Sequence, residues 1–269
     1  MNLQTILSQI ETIDGDVYDR LEHVSRRNLF SMFAKRASAA VAPAVLASAV
    51  TEAYAQTGLN VAIIQTLNFA LTLEYLEAEF YNVGLGRGFI PGTYRPVFEQ
   101  IAKHENAHVN LLKGVLGGNA VPKPTFDFTA GGAYPDVFSN YETFVRLSVA
   151  FEDTGVRAYK GKAPSLMENP FILKTALQIH SVEARHAARV RALSEKLPWI
   201  TLNMGNPPAV YAGEDNLVQE AFDPESATLV KFTASVEDGV PRERATEAYD
   251  EPLTEEQVLA IVKPFIKSM

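Results

Sequence analysis

Two copies of one pattern, 78 residues apart, constrain this chain more than any other feature: Glu74 and Glu152, Tyr81 and Tyr159, Glu105 and Glu183, His108 and His186. Each copy reads Glu-x6-Tyr, then Glu-x2-His. Chance can produce any one such pair, but four pairs in a single register indicate repeated structure. Residues at i and i+3 share a helix face, so Glu105 projects with His108 and Glu183 with His186. Ile101, Leu112 and Val115 lie on the first of these faces, and Ile179 and Val190 on the second. Both faces are therefore apolar stripes that a folded chain would bury. Isolated ionisable groups on a buried stripe are costly unless they are paired or bind metal.

The surrounding sequence is helical from about Gly58 to Leu197. A first helix is expected over about Leu59 to Val83, stopped by Gly84, Gly86 and Gly88. A second should start near Pro91 or Tyr94 and end at Gly117-Gly118. The stretch with Pro122, Pro124, Gly131, Gly132 and Pro135 is long enough to cross from one end of a bundle to the other. A third helix is expected from Ser139, an N-cap with Glu142 three residues on, until Gly161 and Pro164 end it. The fourth runs over about Pro170 to Lys196. Short, long and short connections describe two helical hairpins joined by a crossover. The expected class is all-α, with a bundle over 56–197, a leader over 1–55 and an irregular extension over 198–269. In that extension, Thr254-Glu255-Glu256-Gln257 is a capping box opening a short helix, and the tail should pack on the bundle.

Composition narrows the function classes. A net charge of −8 argues against nucleic acid as a partner, because phosphate binding needs basic patches. The absence of cysteine removes disulfides, thiolate metal sites and a cysteine nucleophile. Near the N-terminus, Ser25-Arg26-Arg27-Asn28-Leu29-Phe30 precedes an alanine-rich apolar run over 37–50 and the small-x-small site Ala53-Tyr54-Ala55. This resembles a twin-arginine export signal cleaved after Ala55, which implies a periplasmic or extracytoplasmic protein; a retained amphipathic helix would instead leave it cytoplasmic. The apolar run falls short of the roughly 20 residues of a membrane span.

Together, Glu74, Glu105, His108, Glu152, Glu183 and His186 resemble the ligand set of helix-bundle di-iron and di-manganese carboxylate proteins: a Glu from each of two helices and Glu-x-x-His from each of the other two. Four carboxylates carry about −4, which two divalent ions neutralise. Oxygen-rich ligation with one imidazole per ion suits iron or manganese. The phrase Leu67-Asn68-Phe69-Ala70-Leu71-Thr72-Leu73-Glu74-Tyr75-Leu76-Glu77-Ala78-Glu79-Phe80-Tyr81 resembles the bacterial ferritin-like-domain family that also includes plant desiccation-related proteins. That resemblance covers roughly half the chain. It implies a ferritin-like four-helix bundle holding two iron ions, alternatively two manganese ions, and reacting with dioxygen or peroxide. It also implies that Glu105 and Glu183 bridge the ions, with Glu74 and Glu152 terminal. Tyr81 and Tyr159 are expected to donate to glutamate ligands and fix their orientation. Glu77 and Glu79 are read as solvated or as neighbours of the ligands, Glu77 being one turn from Glu74. The expected assembly is a monomer or small homo-oligomer, since nothing points to a storage shell.

Two other readings compete. His104-Glu105-Asn106-Ala107-His108 spells the His-Glu-x-x-His zinc-peptidase motif. However, Val182 stands at the repeat position of His104, and the reading leaves Glu183 and His186 unexplained. The second is a ferritin fold serving as a non-catalytic structural or stress-protection module.

Overall fold

The computed structural model describes residues 59–194, 196–223, 228–233 and 241–268. The leader and its export motif lie outside the described residues. Four long helices form the bundle: α1 (Val61–Gly86), α2 (Arg95–Leu116), α3 (Tyr141–Lys162) and α4 (Pro170–Leu193). α1 packs along α2, α3 along α4, and α1 meets α3 across the middle. Each hairpin has a short connection, and the segment between α2 and α3 is long, as the stretch with Pro122, Pro124, Gly131, Gly132 and Pro135 implies. Among the described residues, no helix is long and apolar enough to cross a membrane.

Side-chain caps set three of the helix starts. Asn60, Asn140 and Asn169 each accept from backbone N–H groups of the first turn, which would otherwise lack partners. The cap of α3 is thus Asn140 rather than Ser139. Asn140 Oδ1 reaches the N–H groups of Glu142 and Thr143, whereas Ser139 Oγ donates to the Asp136 carbonyl.

The expected glycine stops are also displaced. Gly84 and Gly86 belong to α1, which ends at the Arg87 C-cap. A Cβ on Gly84 would fall 2.4 Å from the Phe144 ring, so this glycine admits an aromatic side chain instead of ending the helix. Gly161 likewise lies inside α3, where a Cβ would stand 2.0 Å from the Leu253 carbonyl oxygen. It marks the place where the C-terminal extension crosses the bundle. α4 stops at Leu193, three residues before the expected Lys196.

The core forms two apolar clusters. One is aromatic and contains Phe80, Tyr81, Phe98, Phe144 and Phe151. Phe80 is fully buried at its centre, stacked on Phe144 at 4.6 Å and edge-on to Phe151 at 5.0 Å. The other is largely aliphatic and holds Ile63, Leu67, Leu71, Leu112, Ile172 and Ile179, with Tyr159. Glu74 falls where α1 passes from the second cluster to the first.

The extension is more ordered than an irregular tail. It holds the antiparallel hairpin β2 (Val218–Asp223) and β3 (Thr228–Thr233), a short helix α5 (Arg242–Thr246) and α6 (Glu255–Val262). α6 opens with the expected capping box, Thr254 and Gln257 bonding reciprocally. Leu253, Val258, Val262 and Phe265 complete the aromatic cluster. The chain then closes with β4 (Ile266–Ser268), which pairs antiparallel with β1 (Thr125–Phe126) in the crossover. Arg157 on α3 anchors the extension: fully buried, it donates to the carbonyls of Val210, Ala212 and Glu251 and pairs with Glu214 at 2.7 Å.

Candidate metal centre

The four helices each send acidic or imidazole groups into the bundle interior. Glu74 comes from α1, Glu105 and His108 from α2, Glu152 from α3, and Glu183 and His186 from α4. All four glutamates are fully buried, and the histidines are nearly so. They form two quartets, Glu74–Glu105–His108–Glu183 and Glu105–Glu152–Glu183–His186, in each of which one donor atom per residue lies within 4.8 Å of the others. Glu105 and Glu183 belong to both quartets, while Glu74 and Glu152 each belong to one. This is the geometry of two adjacent sites sharing two carboxylates.

The donor atoms converge and only partly satisfy one another: His108 Nδ1 lies within hydrogen-bond reach of Glu74 Oε2 at 3.1 Å and Glu105 Oε2 at 3.2 Å. His186 Nδ1 is 2.7 Å from Glu105 Oε1 and 3.3 Å from Glu152 Oε2. Even so, among the described residues His186 Nδ1, Glu105 Oε1, Glu152 Oε2 and both Glu183 oxygens are buried without a hydrogen bond. The distances are short, but the geometry is not that of hydrogen bonds. Buried polar groups are rarely left so, and a concentration of them marks a place that an ion can fill. The donor set, four carboxylates and two imidazoles in two sharing quartets, fits two divalent metal ions.

The electrostatics of these buried groups shows the same demand for positive charge. Burial pushes the carboxyl of Glu183 well up, reinforced by Glu105 and Glu74. Burial also raises Glu105 to about 7, against the opposing contacts of His108 and His186. Burial disfavours a charged His186 ring, but Glu152, Glu105 and Glu183 outweigh it and hold the ring at about 11. Burial likewise opposes charge on His108, where Glu74, Glu105 and Glu183 push far in the other direction. For Glu74, burial raises the carboxyl, and His108, Glu105 and Tyr159 together bring it below its ordinary value.

The repeat appears in space as crossed braces. Tyr81 on α1 donates to Glu152 Oε1 on α3 at 2.5 Å, and Tyr159 on α3 donates to Glu74 Oε1 on α1. Each tyrosine holds the glutamate of the other copy. A phenol donating to one carboxylate oxygen leaves the other oxygen aimed at the quartet. On α4, His186 is held from behind: its Nε2 lies 2.8 Å from His104 Nδ1, and His104 Nε2 lies 2.7 Å from the exposed Gln100 amide. With a proton on Nε2, His186 presents Nδ1 to the carboxylates.

Residues that sequence reasoning placed nearby separate here. His104 joins neither quartet among the described residues and serves as the partner of His186. Glu79 is partly exposed and pairs with Lys123 at 2.6 Å. Glu77 is 3% exposed, not solvated; burial pushes its carboxyl well up, and Glu183, Glu105, Glu152 and Glu74 add to the effect. Not foreseen at all was the buried pair of Asp153 and Arg191, with Tyr211 donating to Asp153 at 2.8 Å. Its members are too far apart in sequence for a spacing rule to join them.

A helix bundle with two buried Glu/His quartets defines a class of metal-binding helical proteins. A model of the family described as ferritin-like domain matches residues 62–196, half of the chain, and the chain belongs to that family. The matched span begins in α1 and runs just past α4, so it takes in every quartet residue. No curated protein matches the chain.

Proposed function

We propose that this protein is a di-metal carboxylate protein that binds two iron ions, or alternatively two manganese ions, and reacts with dioxygen or peroxide. The observation that carries the reading is the pair of quartets sharing Glu105 and Glu183. In this reading those two glutamates would hold both ions. Glu74 and His108 complete one site, and Glu152 and His186 the other. When bound, the metals supply the electrons exchanged with the small oxidant.

The chain's own residues do the rest. Tyr81 and Tyr159 keep Glu152 and Glu74 from turning away. His104 fixes the ring of His186. The apolar clusters on either side exclude water, which strengthens every charge interaction inside. His104 outside both quartets and Glu105 inside both favour this reading over the peptidase one, which needs His104 as a ligand. The leader supports export of a folded, metal-loaded protein through a twin-arginine route. Cell fractionation of the full-length chain and of an Arg26→Lys/Arg27→Lys variant tests that: the parent should be found outside the cytoplasm and the variant inside.

The ligand assignment is tested by substitution. Glu105→Ala removes a residue common to both sites and should abolish binding of both ions, whereas His186→Ala should weaken one ion and spare the other. Retention of two metals per chain by both folded variants would refute the assignment.

A further inference from the structure

The two copies of the internal repeat differ at several buried positions, and one of these differences falls beside the metal site. Glu77 lies one turn beyond Glu74 on α1. Its counterpart 78 residues later is Gly155, one turn beyond Glu152 on α3. In space the two positions meet. A Cβ on Gly155 would stand 3.1 Å from Glu77 Oε1 and 3.3 Å from Glu183 Oε2. The missing side chain of one copy is the room that the carboxylate of the other copy occupies, next to a glutamate common to both quartets.

The other buried acids of the described chain are committed. Glu74, Glu105, Glu152 and Glu183 make up the quartets, Asp153 is paired with Arg191, and Glu214 with Arg157. Glu77 belongs to neither quartet and to no ion pair among the described residues. A fifth carboxylate buried among four others is unfavourable unless positive charge is added. The four quartet glutamates already balance two divalent ions. Two trivalent ions bring two further positive charges into a buried site, and Glu77 is a nearby carboxylate outside both quartets and outside the ion pairs of the described residues.

We propose that Glu77 is a seventh ligand of the metal pair, admitted by the notch at Gly155 and engaged when the ions are trivalent. The proposal rests on the di-metal reading above. It assigns Gly155 a role as well: a positioning residue that keeps the space between Glu77 and Glu183 open.

The test uses the full-length, metal-free chain loaded anaerobically with ferrous ion. Ferricyanide then takes one electron from each iron and becomes ferrocyanide. Loss of ferric ion to desferrioxamine is followed by absorbance. Glu77→Gln should take up two ferrous ions as the parent does, yet release ferric ion about ten- to a hundredfold faster, the usual range for losing a group that supports a metal site. Gly155→Ala deletes no glutamate, but its methyl group would press on Glu77 Oε1 and Glu183 Oε2; it should also speed ferric release, with circular dichroism confirming the fold. Combining Glu77→Gln with Gly155→Ala should release ferric ion no faster than Glu77→Gln alone. Equal ferric release by the parent and both single variants would overturn the role of Glu77 and leave the di-metal reading intact. Equal weakening of ferrous and ferric binding would overturn the preference for trivalent ions. Failure of the parent itself to bind two ferrous ions would overturn both proposals.

Discussion

The crossed tyrosine braces give the sharpest prediction, because each acts on a different quartet. Tyr159 donates to Glu74, which belongs only to the His108 quartet, and Tyr81 donates to Glu152, which belongs only to the His186 quartet. Replacing either tyrosine by phenylalanine keeps the buried ring and deletes one donor to a carboxylate. A hydrogen bond to a charged group contributes about 1.5–3 kcal/mol. That corresponds to about ten- to a hundredfold in affinity. Tyr159→Phe should therefore weaken one metal ion by about this factor, and Tyr81→Phe the other. The assay is titration of metal-free protein with manganese(II), counting free ion by its electron paramagnetic resonance signal. The parent should show two binding steps, each single variant should lose affinity in one, and the double variant in both. Both ions bound at parental affinity by either variant would refute the bracing, and both weakened equally by one substitution would refute its separation between sites.

Two further outcomes follow from the electrostatics and the anchoring of the extension. In the metal-free protein, Glu77, Glu105 and Glu183 all have pKa values above the ordinary 4.5, so the folded state binds protons more tightly than the unfolded one. Their stabilising contribution is complete below about pH 4.5 and fades as pH rises, Glu105 titrating at about 7. Glu74, lowered from 4.5, works in the opposite sense and contributes above that pH. Between pH 5 and pH 8 the contribution of Glu74 is constant, while those of the three raised glutamates and of the raised His108 and His186 fade, so the gain in Tm on loading manganese should grow; a gain that shrinks over this range would contradict the sign. Arg157→Leu leaves Glu214 and three carbonyls without their buried partner, and should cost about 3–5 kcal/mol. Urea unfolding and limited proteolysis of the extension measure this, and a cost below about 1 kcal/mol would show that Arg157 does not anchor it.

How much of this was legible in the sequence depended on the range of the interaction. The bundle and its six inward residues were readable because the 78-residue repeat places Glu and His on apolar helix faces, a local rule applied twice. Helix ends were less legible. Gly84 and Gly161 look like stops, yet each is small because something approaches it from far along the chain, the Phe144 ring and the Leu253 carbonyl. Asn140 rather than Ser139 caps α3, a choice between adjacent capping residues that only geometry makes. The β2–β3 hairpin was not foreseen, nor was the anchoring of the extension by Arg157. Arg157 meets Glu214 and Glu251 only after the tail folds back across α3, and no periodicity encodes that contact. Glu77 lay between the two cases. Its distance from Glu74 placed it near the site, but its burial depends on Gly155, and that relation becomes visible only when the repeat is compared position by position.

The central claim is that Glu105 and Glu183 join two metal sites in one bundle. Elemental analysis of the full-length protein, purified without added metal and read as ions per chain, tests it most directly. The account predicts close to two ions of iron or manganese per chain. One zinc per chain would contradict it in favour of the His-Glu-x-x-His reading. No metal, even after anaerobic loading with ferrous ion, would contradict it in favour of a structural module.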